Sequence, residues 1–275
     1  MRRLSGPTLG VFMMALLAFG CSGSDGPLQE RENAFAWQDQ VPAGATLRVR
    51  NLNGEIEVTP STDDTARVTA SLRWRRGDPD VSLKLSAGRE GADAIICAVW
   101  GSGKCDRDAY ASNINFSSNG TDAQVHFRIT VPAGVKLELH GLNTGISAAA
   151  SAPVEASTLN GDVTVVTAVG PVRGESKNGD VDVRMSSLSG ADSVIATTLN
   201  GSVYVYLPEG VDAVLDLATT NGSVSSEFAV PVTGTASRRA LRGTLGAGTR
   251  VVKAKSINGS VSLRRLDATG RSYEP

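Results

Sequence analysis

The chain has 275 residues, 41% of them hydrophobic and 5% aromatic, with 27 Lys and Arg against 28 Asp and Glu for a net charge of −1. So even a balance gives no electrostatic footing for nucleic acid, which requires clustered cations. With aromatics this scarce, a core has to be built from Val, Leu, Ile and Ala.

The N-terminus opens Met1-Arg2-Arg3 and continues into an apolar stretch over residues 9–19 interrupted only by Gly10. That length suits the hydrophobic region of an export signal and is too short for a membrane-spanning helix. The stretch ends in Ala18-Phe19-Gly20-Cys21, with small residues three and one places before the cysteine, which suits a signal peptidase pocket. This arrangement resembles the lipobox of bacterial lipoproteins, with Ala18 where Leu is commoner. The resemblance implies that residues 1–20 are removed and that Cys21 is lipidated. The chain would then meet a membrane through acyl chains such as palmitate, each held by about 0.8 kcal/mol per buried methylene. By resemblance to Gram-negative lipoproteins, Ser22 in place of the Asp that marks inner-membrane retention implies the outer membrane. An ordinary cleaved signal beside an incidental cysteine is the alternative.

Residues 21–34 combine Ser22-Gly23-Ser24-Asp25-Gly26-Pro27 with charged side chains, the composition of a flexible tether. From residue 35 onward the pattern is strand: Val, Thr, Leu and Ile alternate with polar residues, punctuated by Gly, Asn, Asp and Pro. Residues 35–130 form a more irregular strand-rich part, with strands expected over 67–75, 81–85, 94–99 and 124–130, paired antiparallel. Residues 101–122 read as a long loop. Cys97 and Cys105 flank its start; in an oxidising compartment they read as a disulfide, and with no His close in sequence they make a poor zinc set. Residues 131–266 form a repeat part, and 267–275 a C-terminal tail.

The repeat is the strongest signal in the chain. Asn160-Gly161, Asn178-Gly179, Asn200-Gly201, Asn221-Gly222 and Asn258-Gly259 each carry Ser or Thr two places before the Asn and Val two places after the Gly. The asparagines are spaced 18, 22, 21 and 37 residues apart, the last close to two periods. Asn143 belongs to a degenerate copy and Asn53-Gly54 to a distant early one. Asn-Gly supplies residues that tolerate positive φ at a tight corner. The Ser or Thr can hydrogen-bond within the turn or to the next copy. A period near twenty suits an all-β solenoid with stacked Asn-Gly corners, in which each coil's apolar face is buried by its neighbours. A meander of Asn-Gly hairpins is the rival. The solenoid is preferred because residues before the corner repeat as faithfully as those after it. Val41-Pro42-Ala43-Gly44, Val131-Pro132-Ala133-Gly134 and Leu207-Pro208-Glu209-Gly210 add a second recurring turn.

The Asn-Gly-x-Val ladder, the Val-Pro-Ala-Gly turns and the closing 243–248 glycine segment resemble the bacterial putative-adhesin domains of unknown function. That resemblance spans residues 35–266 and implies a β-solenoid of the cell envelope, often membrane-tethered. It carries no catalytic residues with it.

Chemistry is sparse. His126 and His140 both fall on alternating strand patterns, where a structural role is expected. The 243–248 segment lacks the Lys-Ser/Thr of a phosphate loop and reads as a turn. Asp162 and Asp180 occupy the same place in consecutive copies. As a stacked pair they could hold a weak cation site or act as an acid/base pair on sugars; solvated turn carboxylates are the plainer reading. No cofactor is implied. The expectation is a lipid-anchored, non-enzymatic envelope protein with a protein or glycan partner. A polysaccharide-active β-helix enzyme and an envelope-stress sensing component are the alternatives.

Overall fold

The computed structural model describes residues 26–105, 110–111, 121–188 and 192–266, with the backbone alone at 110–111 and 232–235. Residues 1–20, the lipidation position Cys21 and the 267–275 tail lie outside the described residues.

The first half contains β1 (Gln29–Gln40), β2 (Thr46–Pro60), β3 (Thr65–Trp74), the one-turn α1 (Pro79–Ser82), β4 (Leu83–Glu90) and β5 (Asp93–Trp100). The short β6 (Lys104–Cys105) and β7 (Tyr110–Ala111) pair with each other, and β8 (Gln124–Val131) and β9 (Lys136–Ala150) follow. The second half contains β10 (Val154–Asn160), β11 (Val163–Thr167), β12 (Val172–Asn178), β13 (Val181–Met185), β14 (Ser193–Asn200) and β15 (Val203–Leu207). It ends with β16 (Ala213–Asn221), β17 (Val224–Ser226), β18 (Val232–Ser237), β19 (Ala240–Leu245), β20 (Val251–Asn258) and β21 (Val261–Arg265).

Successive copies of the repeat pair in parallel, which decides for the solenoid over the hairpin meander. Each coil is a strand, an Asn-Gly corner and a second strand, so the strands sort into two facing layers. Layer A runs β4–β5–β2–β9–β10–β12–β14–β20–β16–β19–β18. Layer B runs β1–β3–β8–β2–β9–β11–β13–β15–β21–β17. The long strands β2 and β9 pass through their corners and serve both layers. Antiparallel pairs bound both layers at the β1 and β4 end and layer A at the other, where layer B ends on the parallel β17.

Period-2 alternation explains the burial. In β10 and β11, Val154, Ala156, Thr158, Val163, Val165 and Thr167 point inward and their neighbours outward. One inner column of layer A reads Ile96, Val49, Leu139, Ala156, Gly174, Ala196, Ala254, Leu217. Small residues hold its middle and large ones its ends. A Cβ on Gly174 would already lie 3.0 Å from Val181 of the facing layer, so β-branched valines opposite fill the space the small column leaves. Each buried valine contributes on the order of 1.5–3 kcal/mol.

Several expectations are corrected. Residues 29–34 are not tether: Gln29, Glu30 and Arg31 pair with Trp74, Arg73 and Leu72, so the folded domain begins before residue 35. Val81 lies in α1, where Asp78 caps the helix and Pro79 starts it, and it is 82% exposed. Antiparallel pairing joins β3 to β8 and β4 to β5, but β2 pairs in parallel with both β5 and β8 and brings the early Asn53 copy into register with Asn143. An irregular N-terminal strand portion with mixed pairing thus precedes the repeat coils, and β2 carries the parallel stack back into it. Residues 243–245 belong to β19, and only 246–248 form the turn, with positive φ at Gly246 and Gly248.

The 37-residue gap does not hold an extra coil. The chain leaves β15, skips one position, lays down β16 and β17, turns back through the antiparallel hairpin of β18 and β19, and inserts β20 and β21 into the vacant position.

Candidate functional site

The corner row is the most regular polar feature of the molecule. Five side-chain amide bonds run in one direction: Asn160 to Asn143, Asn178 to Asn160, Asn200 to Asn178, Asn258 to Asn200 and Asn221 to Asn258, each 2.7–2.8 Å. Asn53 stands at the end of the row and donates instead to the Ala123 carbonyl at 3.1 Å. Just inside, Ser176, Thr198, Ser256 and Thr219 donate to the carbonyls of Gly161, Gly179, Gly201 and Gly259 at 2.6–2.8 Å. The hydroxyl two places before the Asn thus bonds to the neighbouring coil.

The glycines answer to a steric demand. A Cβ on Gly179, Gly201, Gly222 or Gly259 would overlap the carbonyl of the glycine in the adjacent coil. Positive φ occurs at Gly161, Gly179, Gly201 and Gly259, 151° at Gly201, while the corner asparagines stay in strand conformation. The Asn is there for its amide, not for its φ.

Asp162 and Asp180 do sit in adjacent coils. Asp162 accepts the backbone N–H of Asp180 at 2.8 Å, and Asp180 accepts that of Ser202 at 2.7 Å. Each carboxylate thus satisfies a corner amide of the next coil. Among the described residues no group of three or more His, Cys, Asp or Glu side chains is placed to hold a metal ion.

His140 lies on the outer face of layer A. Its Nδ1 meets the Ser157 hydroxyl at 2.5 Å and its Nε2 faces Glu138 at 3.3 Å. Burial and the Arg50 charge push the imidazole below its ordinary pKa, against the opposing pull of Glu138 and Glu155. Glu138 is itself tied to Arg48 and Arg50, which outweigh the burial that would raise it and hold it below the usual carboxylate range. Ser157 is paired on both flanks with β9 and β12, so the ladder uses the strand amides that an oxyanion would need. His126 meets Glu55 at 3.2 Å across β8 and β2.

Cys97 and Cys105 form a disulfide with Cα atoms 6.3 Å apart. With Ile95 and Val99 they make a small second core on the outside of layer A, beneath β6. Trp74 is buried beneath Arg31, whose guanidinium lies 5.5 Å from the ring centroid.

Two exterior features escaped the sequence reading. Leu159, Leu199 and Ile257 immediately precede ladder asparagines and line an exposed groove of about 400 Å³ on layer A with Ser157, Glu175 and Lys177. On layer B, Arg184, Tyr206 and Arg264 form one cross-strand row. Each is the sixth residue after a ladder asparagine, so aligning the copies one strand further would have exposed the row.

Together these features define a two-layered parallel β-solenoid with an asparagine ladder along one edge. A family model for the toastrack domain, DUF4097, matches residues 40–264, and the chain belongs to that family. No curated protein matches the chain. Among solved structures, it is similar to a putative cell adhesion protein from Clostridium sporogenes at 12% identity and a TM-score of 0.49, over 87% of this chain and 100% of that one. It is also similar to a putative adhesin from Bacteroides fragilis at 13% identity and a TM-score of 0.37, over 86% of this chain and 97% of that one.

Proposed function

We propose that this toastrack protein is a lipid-anchored, non-enzymatic component of the bacterial cell envelope, probed by its partners on the outer faces of the solenoid. The observation that carries the reading is the join of an export-type N-terminus ending at Cys21 to a rigid stack whose polar groups are consumed by coil-to-coil bonding. A stack built this way offers long, flat, pre-ordered faces and needs no ordering on binding. Lipid at Cys21, and the outer membrane implied by Ser22, would fix that surface to a bilayer.

Fractionation tests it. The wild-type chain is expected in the membrane fraction with a mass increment on Cys21, Cys21→Ser in the soluble fraction, and isolated envelopes are expected to retain the purified chain. An unmodified Cys21 with soluble wild-type protein refutes the anchor; failure to bind any envelope material refutes the surface role.

A further inference from the structure

We propose that the outer face of layer B, centred on Arg264, binds carboxylated polysaccharide; this rests on the binding-surface reading above and gives it a ligand class. Long side chains from three adjacent coils meet there. In register, Arg184 neighbours Tyr206 and Tyr206 neighbours Arg264, while Asp182 neighbours Tyr204 and Tyr204 neighbours Ser262. The Arg184 guanidinium lies 4.8 Å from the Tyr206 centroid, and that of Arg264 lies 5.1 Å from Tyr204 and 5.6 Å from Tyr206.

The two arginines differ in charge balance. Arg184 is matched by Asp182, which accepts two of its N–H groups at 2.9 and 3.1 Å. Arg264 makes no ion pair among the described residues; its polar contact is the Tyr206 hydroxyl at 3.3 Å. Guanidinium carries five donors, and this one is partly exposed and lies over two rings. A fixed, planar, permanently charged fork is the group that pairs bidentately with a carboxylate.

The surroundings favour a sugar polymer. Ser262 and Ser225, 3.1 Å apart, continue the Tyr204 row as hydroxyls able to meet sugar hydroxyls. Rows repeat at the strand spacing of about 4.8 Å, close to the length of one sugar in an extended polymer, so a chain crossing the strands meets a new coil at each residue. An anionic bilayer is recognised by clusters of four or more basic residues, as an order of magnitude. Beside these tyrosines one cation is unmatched among the described residues.

The full-length chain in detergent is tested on immobilised polygalacturonate and on its fully methyl-esterified form. Retention is expected on the first alone, weakening with salt. Arg264→Gln is expected to weaken it about tenfold, and Arg264→Lys by less, since charge remains while the fork is lost. Arg242→Gln removes a cation paired with Asp216 on layer A and is expected to change nothing. Equal retention on the ester, an unchanged Arg264→Gln, an equal loss in Arg242→Gln, or binding only to phosphatidylglycerol vesicles overturns the proposal. A chain that binds envelopes but not polygalacturonate overturns this ligand and leaves the surface role standing; one that binds neither overturns both.

Discussion

Asn258 donates its side-chain amide to Asn200, 58 residues earlier, at 2.7 Å, and accepts that of Asn221 from its other side. The last coil of the sequence therefore lies inside the stack, between two coils that are consecutive in the chain.

Truncation at residue 250 consequently removes an interior coil. It strips β14 and β16 of their shared partner β20, and β15 and β17 of β21. Hydrogen exchange is expected to show loss of protection across 213–245 as well as along β14 and β15, with β2, β8, β9, β10 and β11 retaining theirs. Full protection of 213–245 in the truncated chain would contradict the insertion.

Asparagines inside the ladder should matter more than the one at its end. Asn178→Ala breaks two amide bonds and Asn221→Ala one. Chemical denaturation is expected to show losses of about 1–2 and about 0.5–1 kcal/mol respectively.

Glycines divide by what stands opposite them. At Gly201 a methyl group overlaps the Gly179 carbonyl, so Gly201→Ala should cost about 3 kcal/mol or more. At Gly44, φ is 87° with nothing within 4 Å of the added carbon, so Gly44→Ala should cost only the left-handed backbone penalty of about 1–2 kcal/mol. Equal losses would remove steric stacking as the reason for the glycine column.

His140 gives a pH dependence of definite sign. Its folded-state pKa lies below the ordinary 6.5, so the native protein binds fewer protons than the unfolded chain. The contribution is present above that value and is lost as pH falls through it. Thermal melts between about pH 7.5 and 5.5 should show stability falling with acid in the wild type. The slope is expected to be shallower in His140→Gln.

Much of this architecture was legible because the corner motif is nearly invariant: Asn for the amide row, Gly for the carbonyl opposite, Val for the facing layer. Coil order was not legible, because Val251–Asn258 carries the same motif as β14 and β16 and fits either side of each. Parallel pairing of β2 with β5 and β8 was hidden for a similar reason: alternation reports which face is buried, not strand direction. For Asp162 and Asp180, sequence places two carboxylates in the same position of adjacent copies but does not show the backbone amide each one accepts. The Arg264 platform is legible only by position, since its members share the sixth place after a ladder asparagine but differ in residue type from copy to copy.

The parallel ladder has one further consequence. Identical corners stacked in register are the grammar of an amyloid fibril, where each rung templates the next without limit. Here β3 against β8 and β4 against β5 at one end, and the β18–β19 hairpin against β16 at the other, turn the hydrogen-bonding direction against that repetition. The molecule is in effect a fibril of fixed length, terminated at both ends by its own chain.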